Sequence, residues 1–299
     1  MQHRHKTVLP IAAIDALALS PDSSVVDATL GSGGHTQAIL DRLGPRGRLF
    51  SLDIDPDAIE IAKKTLPETP LLTLMAGNFR YLDECVAANE ADAVLADLGW
   101  RSEQFAASGR GFSFQVDEPL CMTFGDPAQY PFTATDIVND WSTESLINIL
   151  KGYGEERYAK RIVRAIDEAR AVSPITTTVQ LANIVTKAVP VHVRHGRIHP
   201  ATKTFQALRI TVNDELGALE DFLRAAWKVL KNNGRLAIIT FHSLEDRLVK
   251  HHFRSLADAG VAKLPHKKPI IAEETERNAN PRSRSAKLRT IIKLPNDTL

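Results

Sequence analysis

Three acidic residues that end or follow apolar runs in the first hundred residues frame the chemistry open to this chain. The first run, Ser23-Ser24-Val25-Val26-Asp27-Ala28, leads into Thr29-Leu30-Gly31-Ser32-Gly33-Gly34-His35. Glycines at such a place permit positive φ and let a ligand approach the backbone. A helix starting behind them offers free N–H groups. Asp53 ends a second run, 22 residues beyond Gly31, where a carboxylate can accept hydrogen bonds from ribose hydroxyls. Together these read as a ribonucleoside site. The loop lacks the third glycine of G-x-G-x-x-G, and Asp27 stands four residues before its first glycine. That pattern suits a ligand with a cationic amino-acid end, such as S-adenosylmethionine, better than a pyrophosphate.

The third carboxylate, Asp97, closes Ala91-Asp92-Ala93-Val94-Leu95-Ala96-Asp97 and is followed by Leu98-Gly99-Trp100. Open α/β sheets bind their ligands at such strand ends. An exocyclic amine conjugated into a base ring is a poor nucleophile. An acceptor for its hydrogen localises the nitrogen lone pair, and a flat apolar surface holds the ring. Asp97 could be that acceptor, and Trp100, Phe112 or Phe114 that surface. Taken singly, such residues are more often helix caps and core aromatics. Further polar clusters contain Arg110, Arg157, His199, Lys203, His242, Arg282 and Arg284. No G-x-S-x-G elbow, H-E-x-x-H or paired C-x-x-C is present, so a hydrolase triad or a metal centre is not expected.

The elements needed to position these residues follow a strand–helix rhythm. Runs at 23–28, 48–53, 71–75 and 91–97 read as strands, with helical stretches at 36–43 and 57–65. From Leu98 to about His199 the strand signal stops, while 144–151, 155–171 and 179–189 are helix-like. An amphipathic helix over 214–231, with Asn232-Asn233-Gly234 as its stop, then precedes strands at 234–241 and 288–294. This reads as one α/β domain, with parallel strands and crossover helices, interrupted by a helical insertion. The divisions fall at 1–103, 104–204 and 205–299.

Composition narrows the class. The chain has 299 residues, 43% hydrophobic and 24% charged, with no long apolar run, so neither a membrane partner nor a secretory signal is expected. Two cysteines, Cys85 and Cys121, are too few for a disulfide framework and point to a reducing cytoplasm. The net charge of +1 conceals a division. Residues 1–150 hold 10 Lys/Arg against 21 Asp/Glu, and residues 151–299 hold 27 against 15. Within the second half, residues 151–210 carry a net +7 and residues 247–293 a net +8. Such concentration suggests a polyanion partner, although two oppositely charged faces would give the same totals.

Taken in order, from His5-Lys6-Thr7-Val8-Leu9 through His199–Ile210 and Gly234–Lys250 to Asn280-Pro281-Arg282-Ser283-Arg284-Ser285, the segments resemble the RsmH (MraW) family. Its members are bacterial ribosomal RNA small-subunit methyltransferases that modify the N4 of a decoding-region cytosine of 16S rRNA. The resemblance implies a class I S-adenosylmethionine-dependent methyltransferase fold, Rossmann-like with a seven-stranded sheet, carrying an inserted helical domain. It places the cofactor on Gly33, Gly34, His35, Asp53, Phe79, Asp97 and Gln104, with Asp97 catalytic. By the same resemblance Asp53 would hold the ribose and Phe79 would lie against the adenine. Trp100, Arg110, Phe112, Arg157, His199, Lys203, His242, Arg282 and Arg284 are the candidates for substrate contact. The implied partner is 16S rRNA within the assembled small subunit; pairing into a homodimer is left open.

The chain departs from the family in two places. It reads Trp100-Arg101-Ser102 where Val-Ser-Ser is usual, and Cys121-Met122-Thr123-Phe124 where Asp-Met-Arg-Met is usual. These changes keep a second reading in view, a non-catalytic RNA-binding assembly factor on the same fold. A nicotinamide-dependent dehydrogenase is a third, opposed by the missing glycine.

Overall fold

The computed structural model describes residues 6–99, 109–196 and 198–295. They divide into two compact units, one of residues 1–100 with 216–299 and the other of residues 101–215.

The first unit is built on one mixed sheet. Its strands are β1 (Ser24–Asp27), β2 (Arg48–Asp53), β3 (Leu72–Ala76), β4 (Ala91–Asp97), β5 (Leu230–Thr240), β6 (Ala262–Lys263), β7 (Ile270–Ile271) and β8 (Lys287–Lys293). The order is β3-β2-β1-β4-β5-β8-β6, with β7 pairing β8 off that path. Strands β1 to β5 pair in parallel, and β8 runs antiparallel to β5. The expected seven strands therefore form the sheet, and a two-residue eighth stands beside β8.

Alternation along β4 shows why this sheet is covered on both faces. Val94 and Ala96 enter one core with Leu219, Phe222 and Phe253. Ala93 and Leu95 enter another with Ala13, Ile39 and Leu288. All four β4 residues are fully enclosed, as the two faces of a parallel sheet require. The covering helices from the first part of the chain are α1 (Pro10–Leu17), α2 (Gly34–Leu40), α3 (Pro56–Thr65) and the short α4 (Leu82–Cys85).

The second unit contains α5 (Ala134–Asp140), α6 (Thr143–Gly152), α7 (Ala159–Arg170), α8 (Thr178–Ala188), α9 (Val191–Arg194) and α10 (Thr202–Asn213). Its own core gathers Leu120, Leu146, Leu150, Ile162, Leu181 and Phe205, among others. A boundary at 204 would cut α10 near its start. The helix stays with this unit to its end, where Asn213 Nδ2 donates to Met122 O at 2.7 Å and Asn213 Oδ1 accepts from Phe124 N at 3.0 Å.

The chain returns to the first unit with α11 (Glu215–Val229), α12 (Ser243–Asp258) and α13 (Glu274–Ala279). Helix α11 stops at Val229, two residues earlier than its sequence suggests. Leu230 already pairs with Ala91, the ladder breaks, and it resumes at Arg235 opposite Ala93. Asn233, with φ of 65°, lies in that break. No described helix is long and apolar enough to cross a membrane.

Candidate active site

The order β3-β2-β1-β4-β5 reverses direction between β1 and β4, and an open α/β sheet leaves its ligand crevice at such a point. The carboxyl ends of β2, β1 and β4 are therefore neighbours, and they carry Asp53, the glycine loop and Asp97.

The loop after β1 is braced from several directions. Gly31 N donates to Asp53 Oδ2 at 2.8 Å, and Asp55 N donates to Asp53 Oδ1 at 2.9 Å. These backbone bonds, one to each oxygen, aim the carboxylate of Asp53. Gly33 caps α2 with φ of 79°. A Cβ on Gly34 would lie 1.8 Å from Thr7 Oγ1, so only glycine lets the N-terminal segment pass there.

That N-terminal segment is itself clamped. Asn280 Nδ2 donates to Lys6 O at 3.0 Å, and Leu9 N donates to Glu276 Oε1 at 2.7 Å. The two ends of the sequence therefore meet behind the loop. Sequence reasoning named Asn280 only as part of a motif and missed Glu276, because a contact spanning 267 residues leaves no local spacing signal.

Asp97 is held rigidly. Its amide donates to Thr29 Oγ1 at 2.6 Å, Gly99 N donates to its Oδ1 at 2.9 Å, and His35 Nε2 stands 3.2 Å from its Oδ2. The Asp97 side chain keeps 14% of its surface exposed, against 5% for His35. Burial opposes protonation of His35. The hydrogen bond and charge of Asp97, with the charge of Asp27, outweigh it, and the imidazole pKa lies above its ordinary value.

Asp27 behaves differently from the expectation that it points toward the ligand loop. It is fully enclosed, accepting from Thr36 Oγ1 at 2.6 Å and from Thr29 N at 3.2 Å. Burial pushes its pKa to about 6, against the opposing effects of Thr36, His35 and the Thr29 amide. Asp27 thus ties the loop and α2 to β1 from below. Thr29 and Thr36, both missed in the sequence, make this bracing possible.

The remaining candidates have varied surroundings. Phe79 is half-buried and meets the Phe222 ring edge-on at 4.8 Å. His242 caps α12: its Nδ1 accepts from Glu245 N at 3.4 Å, and Glu245 Oε2 accepts from Phe241 N and His242 N. Arg282 is half-buried, and Arg284 is exposed with its Nε directed at Arg277 O. Trp100 and Gln104 lie outside the described residues.

In the second unit, Arg110 donates to Phe124 O, and Phe112 stacks on Phe124 with 5.8 Å between centroids. The exposed His199 ring stacks on Phe114 at 4.4 Å. Lys203 Nζ donates to Glu155 O at 2.9 Å, and Arg157 lies exposed over the Tyr158 ring at 5.9 Å.

The sheet order, the antiparallel β8, the glycine loop after β1 and the acidic ends of β2 and β4 define a class I α/β methyltransferase domain. Comparison with known proteins agrees and is more specific. The model of the MraW methylase family matches residues 2–294, and the chain belongs to that family. It is 46% identical over 314 residues to the ribosomal RNA small subunit methyltransferase H of Limosilactobacillus fermentum, covering 98% of this chain and 99% of that one. It is 45% identical over 297 residues to the protein of the same name from Koribacter versatilis, covering 96% and 93%.

The methyl donor of such a domain is S-adenosylmethionine, and the residues present fit it. Nδ1 of His35 is buried with no hydrogen-bond partner among the described residues. A protonated imidazole donates from both nitrogens, so a carboxylate at the methionine end would satisfy the one that Asp97 leaves over. Asp53 and Asp97 supply negative charge beside the loop for a cationic ligand.

Proposed function

We propose that the chain transfers a methyl group from S-adenosylmethionine to the exocyclic N4 of a cytosine in the decoding region of 16S rRNA, within the assembled small subunit. The observation carrying this reading is Asp97, a partly exposed carboxylate at the end of β4 whose two oxygens are fixed by Gly99 N and His35. The names of the relatives support ribosomal RNA as the substrate class.

The bound donor supplies an electrophilic methyl group on a sulfonium. The protein's own work is placement, since in-line alignment of nucleophile and donor is worth a large part of the barrier. Asp97 accepts a hydrogen of the target amine and localises the nitrogen lone pair along the line of attack. Asp97 is placed to take up the amine proton and hand it on to water as the nitrogen gains the methyl group, the former S–C bonding pair staying with the sulfur of the departing donor. His35 keeps the carboxylate from rotating, and Thr29 holds its backbone. The target base must be unstacked to reach this edge, which single-stranded decoding-region RNA permits at modest cost. Arg110, Arg157, His199 and Lys203 of the inserted unit, with Arg282 and Arg284, are proposed as substrate contacts.

The decisive experiment incubates the protein and isotopically labelled donor with small subunits from a strain lacking this modification, then identifies the labelled nucleoside by mass spectrometry. N4-methylated cytidine at one decoding-region position is the expected product. Label on another atom or another base refutes the assignment. Tight subunit binding without transfer marks a binding factor instead.

A further inference from the structure

Away from the loop and the aspartates, the first unit carries a depression in which positive charges gather. One wall is the face of α12 bearing Lys250 and Arg254, and the other is the β6–β7 connection with His266, Lys267 and Lys268. Arg289 of β8 completes the lining, with the buried Phe253 and half-buried Leu264 beneath it.

The state of these side chains matters more than their number. Lys250, Arg254, His266, Lys267 and Lys268 are all exposed, and none of them makes a side-chain hydrogen bond or ion pair among the described residues. Asp258 follows Arg254 by one helical turn, yet the two make no ion pair. The carboxylate beside Arg289, Asp246, is already committed, accepting from Lys287 at 2.9 Å and from Arg289 at 2.6 Å. Most other cations of this unit are paired, for example Arg80 with Asp221, Lys228 with Asp83 and Lys231 with Asp92. Like charges held together repel, and a surface that leaves them unneutralised is suited to an external anion.

We infer that this groove holds the phosphate backbone of the substrate RNA beside the target base. The inference rests on the proposed function for the identity of that RNA. Register fixes the distance: Asp97 pairs with Ile239, and Ile239 with Leu288, the residue before Arg289. Two strand spacings across and one residue along put the backbone of Arg289, on the floor of the groove, roughly 10 Å from that of Asp97. A strand whose target base reaches Asp97 has its flanking phosphates within that span. The unpaired cations give sequence-independent grip on phosphate.

The test is the double variant Lys250→Glu/Lys268→Glu, with Lys63→Glu/Lys64→Glu on α3 as a control of equal charge change. KM for unmethylated small subunits should rise about tenfold in the groove variant at about 0.1 M salt. The salt dependence of log affinity should flatten by about 1.4, at about 0.7 per single-strand phosphate contact. The turnover number and donor affinity should match wild type, and so should every parameter of the control. An unchanged KM and salt slope would overturn the inference. Filter binding to protein-free 16S rRNA adds a second arm. Weakening toward intact subunits alone would make the occupant an acidic ribosomal protein, and the inference would fall. Should the wild-type protein methylate no subunit RNA, the proposed function fails separately, while the filter-binding arm still decides the groove. Lys267→Gln/Lys268→Gln, on an exposed connection, should give the same direction of change without added acids, so misfolding cannot mimic the result.

Discussion

Asp27 carries a cost that the neighbouring site turns to use. Its carboxyl titrates at about 6 rather than 3.8, because enclosure penalises its charge more than its partners favour it. The folded chain therefore holds this proton more tightly than the unfolded chain. Stability from this group is fully present below about pH 4 and is lost as pH rises toward 6, amounting to about 3 kcal/mol. His35 acts in the same sense at higher pH, since its raised value gives stability present below 6.5 and lost as pH rises through the folded value. In Asp27→Asn the first of these changes should vanish. The gap between the urea midpoints of variant and wild type should shift in the variant's favour from pH 4 to 6, then level off; a constant gap would show that Asp27 does not titrate there. At Asp97 the expected effect is on rate. Asp97→Ala should reduce methylation by about 10²-fold or more, with weaker donor binding by calorimetry, and wild-type turnover would remove Asp97 from the mechanism.

Between elements, the close approach of the N-terminal segment to α2 makes a prediction of its own. Gly34→Ala places a methyl group 1.8 Å from Thr7 Oγ1, so the segment must move and the loop must lose its shape. Donor affinity should fall at least tenfold by calorimetry. Thr7→Ala in the same chain removes the offending hydroxyl and leaves a contact of 3.1 Å to Cβ, which should restore much of that affinity. If the second change restores nothing, the defect lies in α2 itself.

This level also shows where the sequence could be read. β1, β2 and β4 announced themselves because fully buried strands are continuous apolar runs closed by an acid. Helices α1, α10 and α12 were passed over for different reasons. α1 is short and begins at Pro10, after Leu9 in the left-handed region with φ of 50°. α10 was crossed by the expected boundary at 204. α12 begins at a histidine cap, His242, rather than the serine, threonine or aspartate that usually signals a start. Asp97, Asp53 and the glycines could be named from strand ends alone. Thr29, Thr36 and Glu276 could not, since their roles depend on partners brought close only by folding.

For the molecule as a whole, the insertion raises a question of autonomy. The core of residues 101–215 is drawn entirely from its own helices and loops, from Leu120 to Val212. An independent core is the physical condition for folding alone. Residues 101–215 produced separately should therefore be helical by circular dichroism and unfold in a single urea transition. A non-cooperative melt would show that this core depends on the rest of the chain. The acidic and basic halves of the sequence acquire a partial structural meaning here. Asp53 and Asp97 sit in the first unit, and so does the groove between α12 and the β6–β7 connection. Charge therefore does not simply follow the domain division; one unit holds both the carboxylates that suit the methyl donor and a share of the positive surface.

The clamp between the two ends of the chain has a bearing on timing. Leu9 is synthesised 267 residues ahead of Glu276, which fastens that segment. The sheet strands β1 to β4 can pair while synthesis continues, but the backing of the glycine loop must wait until residue 280 is free of the exit tunnel. A growing chain thus gains the backing of its glycine loop only once residue 280 has been made, and a product truncated before α13 is left without the fastening, however well its sheet has formed.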